Sequence, residues 1–141
     1  MELDYALLAD AAQVSQGKTY ILGGGVSILY RDQYPAPLGV ALVFQLIYER
    51  TEADTDHQLR IVVMDADGNP ILPDIQGEIH MGPPGENLPA NVALVAPVVI
   101  GFPPLPVIQR PGPYQVQILL DGRHLKTLPF AAARSPAQPS S

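Results

Sequence analysis

Asp65, Asp67 and Asn69 alternate along the chain as the first three ligands of a calcium loop do, offering the hard oxygen donors that calcium prefers. The EF-hand pattern also needs a glycine just after the third ligand and a bidentate glutamate at the twelfth position. Here Gly68 comes before Asn69, and Gln76 stands where the glutamate belongs, which excludes an EF-hand. A looser calcium site would draw Asp65 and Asp67 together with Glu52, Asp54 and Asp56 from a second acidic loop. The alternative is an ordinary solvated acidic turn.

Gly17-Lys18-Thr19 ends like a phosphate-binding P-loop. That motif needs an earlier glycine, where this chain has Ala12, and a helix after the lysine whose N–H groups face the phosphate. Thr19-Tyr20-Ile21-Leu22 is β-branched and aromatic, so a strand follows and the segment reads as a turn. Gly23-Gly24-Gly25 also lacks a flanking helix and reads as a bend or bulge between strands.

Glu78 and His80 share one strand face by period two, but a metal site needs a third converging ligand, and the sequence offers none. His57 flanks an acidic loop and His124 sits just past a turn, so all three histidines read as surface residues. No serine lies in a nucleophile elbow and there is no cysteine, which leaves acyl-transfer triads without a candidate. Pro103-Pro104-Leu105-Pro106 has polyproline II character. Lying inside the domain, it reads as a rigid crossover between a strand ending at Phe102 and one starting at Tyr114.

The elements that must position these residues are strands. Period-two alternation recurs over residues 26–31, 40–49, 59–63, 75–81, 92–102, 114–120 and 124–128. Asp65-Ala66-Asp67-Gly68-Asn69-Pro70 is the strongest turn signal, and Asp121-Gly122 marks a hairpin. Ser15-Gln16-Gly17-Lys18 is a third turn, while residues 82–89 and 103–113 are loops by composition. Residues 3–13 fit a helix through Leu3, Leu7 and Leu8, and equally a strand through Leu3, Tyr5 and Leu7.

Composition bounds the rest. The chain has 141 residues, 47% hydrophobic and 16% charged, enough apolar material for one core without staples. Sixteen prolines and twelve glycines suit many short strands joined by turns. The absence of cysteine excludes disulfides, thiolate chemistry and cysteine zinc sites. A formal charge of -6 with no basic cluster argues against nucleic acid and anionic membrane surfaces as partners. The first residues carry acids where an export signal carries basic residues, and no apolar run is long enough for a membrane helix. A cytoplasmic location is the default. The expected fold is all-β: a single-domain antiparallel β-sandwich of immunoglobulin-like or related topology over residues 1–133, with a flexible tail at 134–141.

Asp4-Tyr5-Ala6-Leu7-Leu8-Ala9-Asp10-Ala11-Ala12, then Gly17-Lys18 and Ile21-Leu22-Gly23-Gly24-Gly25, resemble the start of a family of small uncharacterised bacterial β-sandwich proteins. Pro111-Gly112-Pro113-Tyr114-Gln115-Val116-Gln117-Ile118, Asp121-Gly122 and Pro129-Phe130 resemble that family's last hairpin. The resemblance covers all but the tail. It implies a β-sandwich with residues 3–13 as a strand, and it implies no activity.

Function is read from the strand at residues 40–48, where Val43 and Ile47 stand on the face opposite Leu42 and Leu46. A strand apolar on both faces is central under a cover or part of an interface. The expectation is a non-enzymatic interaction or structural module that associates with itself or with a protein partner, with no cofactor. The alternative is a ligand-binding domain for calcium or a small polar molecule, using residues 52–57 and 65–69. A hydrolase built on the same acidic loops ranks third.

Overall fold

The computed structural model describes residues 1–136. In chain order the strands are β1 (Glu2–Ser15), β2 (Lys18–Gly24), β3 (Ile28–Arg31), β4 (Ala41–Tyr48), β5 (Thr55–Asp65), β6 (Ile75–Met81), β7 (Leu94–Gly101), β8 (Gly112–Leu120) and β9 (Arg123–Arg134). A single 3-10 turn at Arg50–Glu52 joins β4 to β5, and no α-helix occurs among the described residues. The strands form a four-stranded sheet ordered β2-β1-β4-β7 and a five-stranded sheet ordered β3-β9-β8-β5-β6. All pairings are antiparallel except one: β3 runs parallel to β9, Ile28 opposite Ala131. The antiparallel expectation is corrected there. Parallel neighbours need a long connection, and these two strands lie at opposite ends of the sequence.

One core draws on both sheets. Leu8, Leu42, Phe44 and Leu46 from the first meet Leu29, Ile61, Val63, Val116, Ile118 and Phe130 from the second. Residues 3–13 are strand, as the family resemblance implies. Leu3 and Ala6 pack against the core and Leu8 is buried within it; an irregularity between Leu3 and Tyr5 shifts the alternation that separates them. The turn signalled at Ser15–Lys18 and the hairpin signalled at Asp121-Gly122 are both two-residue hairpins, left-handed at both central positions, Gln16 (φ 52°) with Gly17 (φ 73°) and Asp121 (φ 51°) with Gly122 (φ 78°). This is the type I′ geometry that matches the twist of paired strands.

β9 extends well past residue 128, because its pairing with β8 continues to Gly112↔Ala132 and with β3 to Arg31↔Arg134. Arg134, expected to open the tail, is therefore the last strand residue. Its guanidinium lies 5.7 Å from the centre of the Tyr34 ring. Residues 137–141 of the expected tail lie outside the described residues.

β1 changes partner along its length. Glu2 to Ala9 pair with β4, while Ala9 to Ser15 pair with β2. β1 is also the only strand against which β2 packs extensively. The second half of β1 and all of β2 thus form a two-stranded arm beyond the body of the sheet.

Candidate functional site

The acids expected to share a cation do not converge. Asp56 and Asp65 lie near the two ends of β5, nine residues apart, which in an extended strand is about 30 Å. Asp65 and Asp67 therefore cannot share one calcium with Asp54, Asp56 and Glu52, and the composite site is withdrawn. No group of three or more His, Asp or Glu arranged to hold a metal ion occurs among the described residues. Asp65 Oδ1 instead accepts the backbone N–H groups of Asp67 (2.9 Å) and Asn69 (3.0 Å), a carboxylate closing its own turn.

Asp54 and Asp56 belong to a different group. Asp56 is directly across from His80 in the β5–β6 register, with His80 Nδ1 2.7 Å from Asp56 Oδ1 and Nε2 3.7 Å from Asp54 Oδ1. The Asp56 hydrogen bond, with the charges of both carboxylates, pushes the His80 pKa up. Glu78, on the same face of β6, pairs with Gln58 in the ladder.

The structure also builds a relay that sequence reasoning missed. His57 Nδ1 lies 2.5 Å from Asp121 Oδ2, and His57 Nε2 lies 2.9 Å from Thr55 Oγ1. Thr55 and His57 share a face of β5 by period two. Asp121 reaches them because Leu59 is in register with Leu120 just before the hairpin. A hydroxyl, an imidazole and a carboxylate in that order are the parts of a hydrolase triad. Thr55 is committed elsewhere, however: its single hydroxyl hydrogen goes to the Glu52 carbonyl at 2.5 Å. With that hydrogen committed, the Thr55 oxygen has none to give to Nε2. Asp121 is held further by the Gln58 N–H (2.8 Å). The His57 and Gln58 hydrogen bonds, in that order, hold its carboxyl below the usual range. The group is a clasp between the start of β5 and the β8–β9 turn. The neighbouring cleft, about 310 Å³, has walls of already paired polar groups, including the Met1 amine on Glu52 (3.1 Å).

The glycine-rich segments hold no anion cradle. Lys18 opens β2 directly after a hairpin turn. The N–H groups of Gly25 and Val26 both go to the Leu8 carbonyl (2.8 and 2.9 Å). Pro103-Pro104-Leu105-Pro106 lies in the crossover between β7 and β8, which is tied down by the Ala36–Ile108 bridge.

Two apolar surfaces remain. The first is the outer face of the four-stranded sheet. β4 sends Leu42, Phe44, Leu46 and Tyr48 into the core and presents Val43 and Ile47 on its other side. Leu7 and Val99 flank Val43 in register, and Val95 flanks Ile47. These neighbours bury Val43 completely, yet Val95 is 47% exposed and Tyr5, Leu7, Ile47 and Val99 are only partly buried. The second surface is the arm, where Tyr20 and Leu22 are 56% and 72% exposed. Gly23 (φ 63°) closes its base, where an added Cβ would stand 2.2 Å from Asp10 Oδ2. A cleft of about 470 Å³ runs past this base between Asp10 and β3.

This is an all-β domain whose histidine–carboxylate pairs tie its own strands and turns together and whose four-stranded sheet carries exposed apolar residues. Residues 4–133 match the model of a family of unknown function, DUF6941, and the chain belongs to that family. No curated protein matches it. No helix among the described residues is long and apolar enough to cross a membrane.

Proposed function

We propose that the protein is a non-enzymatic, cytoplasmic, bacterial interaction module. In this reading its two sheets pack as a β-sandwich of immunoglobulin-like topology, and its contacts are made through the arm and the adjoining outer face. The neighbour order β9-β8-β5-β6 corresponds to strands G-F-C-C′ of that topology, with β4 and β7 as B and E. Tyr114, near the start of β8, donates to the Arg110 carbonyl at 2.6 Å, the bond made by the tyrosine corner of strand F. The β1–β2 arm is an addition to that plan.

The observation that carries the reading is the exposure of Tyr20 and Leu22 on an arm outside the core. Burying large apolar side chains stabilises a complex by about 25 cal/mol per Å² before the costs of association. A fold that leaves them in water retains that contribution for a partner. The opposing reading is a hydrolase at Thr55, His57 and Asp121. It is tested by assaying wild type, Thr55→Val and His57→Gln against a panel of activated esters and amides. The interaction module shows no turnover that depends on either residue. Turnover lost in both variants, with their folds intact, would replace it with a hydrolase.

A further inference from the structure

Four strands lie at the ends of the two sheets, and three are blunted. β7 carries Pro97 mid-strand, β6 carries Glu78 and His80, and β3 is four residues long. β2 has none of these devices. It runs seven residues, its one charge is Lys18 at the first position, and its middle is Tyr20-Ile21-Leu22. A bare apolar edge of this kind is a template for another strand.

We propose that this edge pairs with the same edge of a second copy of the chain, antiparallel and about a two-fold axis at Ile21. The proposal rests on the interaction-module reading and names its partner. The two-residue turn makes Ser15 and Lys18 a hydrogen-bonded pair, and alternation then aims the backbone groups of Lys18, Tyr20 and Leu22 at β1. Those of Thr19, Ile21 and Gly23 point to the open edge. With Ile21 opposite the partner's Ile21, Tyr20 falls opposite the partner's Leu22, and by symmetry the same contact forms twice. That is a closely spaced, non-hydrogen-bonded pair, in which an aromatic and an aliphatic side chain pack well. The two side chains it joins are among the most exposed apolar groups of the protein. An isologous contact needs a surface complementary to itself, and this segment is one.

Charge agrees. The protein carries -6 overall, yet residues 10–24 hold one Asp and one Lys, so two copies meet at the arms with no local net charge. Thr19 Oγ1, on the same strand, is the one buried side-chain polar atom without a hydrogen-bond partner among the described residues. A two-stranded ribbon is marginal in water, and pairing two of them makes a four-stranded sheet.

The test is light scattering on the full chain from low to high micromolar concentration, with two variants. Wild type reads twice 15.1 kDa at the upper end. Ile21→Pro removes an outward N–H but none of the arm's own ladder bonds, so it reads 15.1 kDa throughout, and its melting curve matches wild type at the dilute end, where both are monomers. Because the chain has no cysteine, Ile21→Cys adds a single thiol. Mild oxidation links it into a dimer, while Val14→Cys on β1, the other strand of the arm, stays unlinked under the same conditions. A wild type that stays at 15.1 kDa throughout overturns the proposal, as does Ile21→Cys linking no faster than Val14→Cys. A dimer that survives Ile21→Pro but separates in a Val95→Lys, Val99→Lys double variant moves the contact to the sheet face. In that case the edge pairing fails while the interaction module stands.

Discussion

The Thr55 hydroxyl carries one hydrogen, and the Glu52 carbonyl takes it. That single donor turns three residues with the look of a catalytic relay into a clasp. The same accounting separates the two ionic groups at this end of the molecule by pH. His80 has its pKa raised by Asp56 and then Asp54, so its stabilising contribution is full below the ordinary histidine range and is lost as pH rises through its folded value. Asp121 has its pKa lowered by His57 and the Gln58 N–H, so its contribution is present above the ordinary carboxylate range and is lost as pH falls through its folded value. Both operate together only between those ranges, in mildly acidic solution. Histidine NMR titration checks the assignment. In Asp56→Asn the His80 midpoint falls toward the ordinary value, and an unmoved His80 contradicts it. Little of this was legible in the sequence. His80 and Asp56 are 24 positions apart and His57 and Asp121 are 64 apart, so only strand register brings each pair together. The self-closing turn at Asp65 was legible, because it needs only neighbours in the chain.

At the scale of elements, the period-two pattern predicted the strands well where both flanks pair, as in β8. It fell short at β9, whose last residues, including Pro129 and three alanines, alternate weakly and are held by parallel pairing with β3. No local signal announces a parallel neighbour contributed from the other end of the chain. The turn between β1 and β2 was legible, but the separation of the arm from the body was not, since that depends on where β4 stops pairing with β1 at Ala9. Gly17 (φ 73°) has open space around its Cβ position, so alanine there costs conformation and nothing else, about 1 kcal/mol. The far half of the arm pairs only with itself, so hydrogen exchange in Gly17→Ala should quicken by roughly fivefold at arm amides, the factor equivalent to that energy. Amides of β4 and β8 should be unchanged. Equal acceleration everywhere would show that the arm folds and unfolds with the core.

For the whole molecule, the two-faced character of β4 was the most informative feature of the sequence. Its inner residues are the centre of the core and its outer residues are the middle of an apolar face. Acids are spread around turns and clasps, whereas Tyr20, Leu22 and Val95 lie on one sheet, and that division separates internal ties from external contacts. Site-specific photo-crosslinking in producing cells tests the division most directly. A photoreactive side chain is placed at Leu22, at Val95 and, as the control, at Lys126 on the other sheet. Leu22 and Val95 give discrete adducts, with this chain or another protein, and Lys126 gives none. No adduct from Leu22 and Val95, or equal adducts from all three positions, would contradict that division.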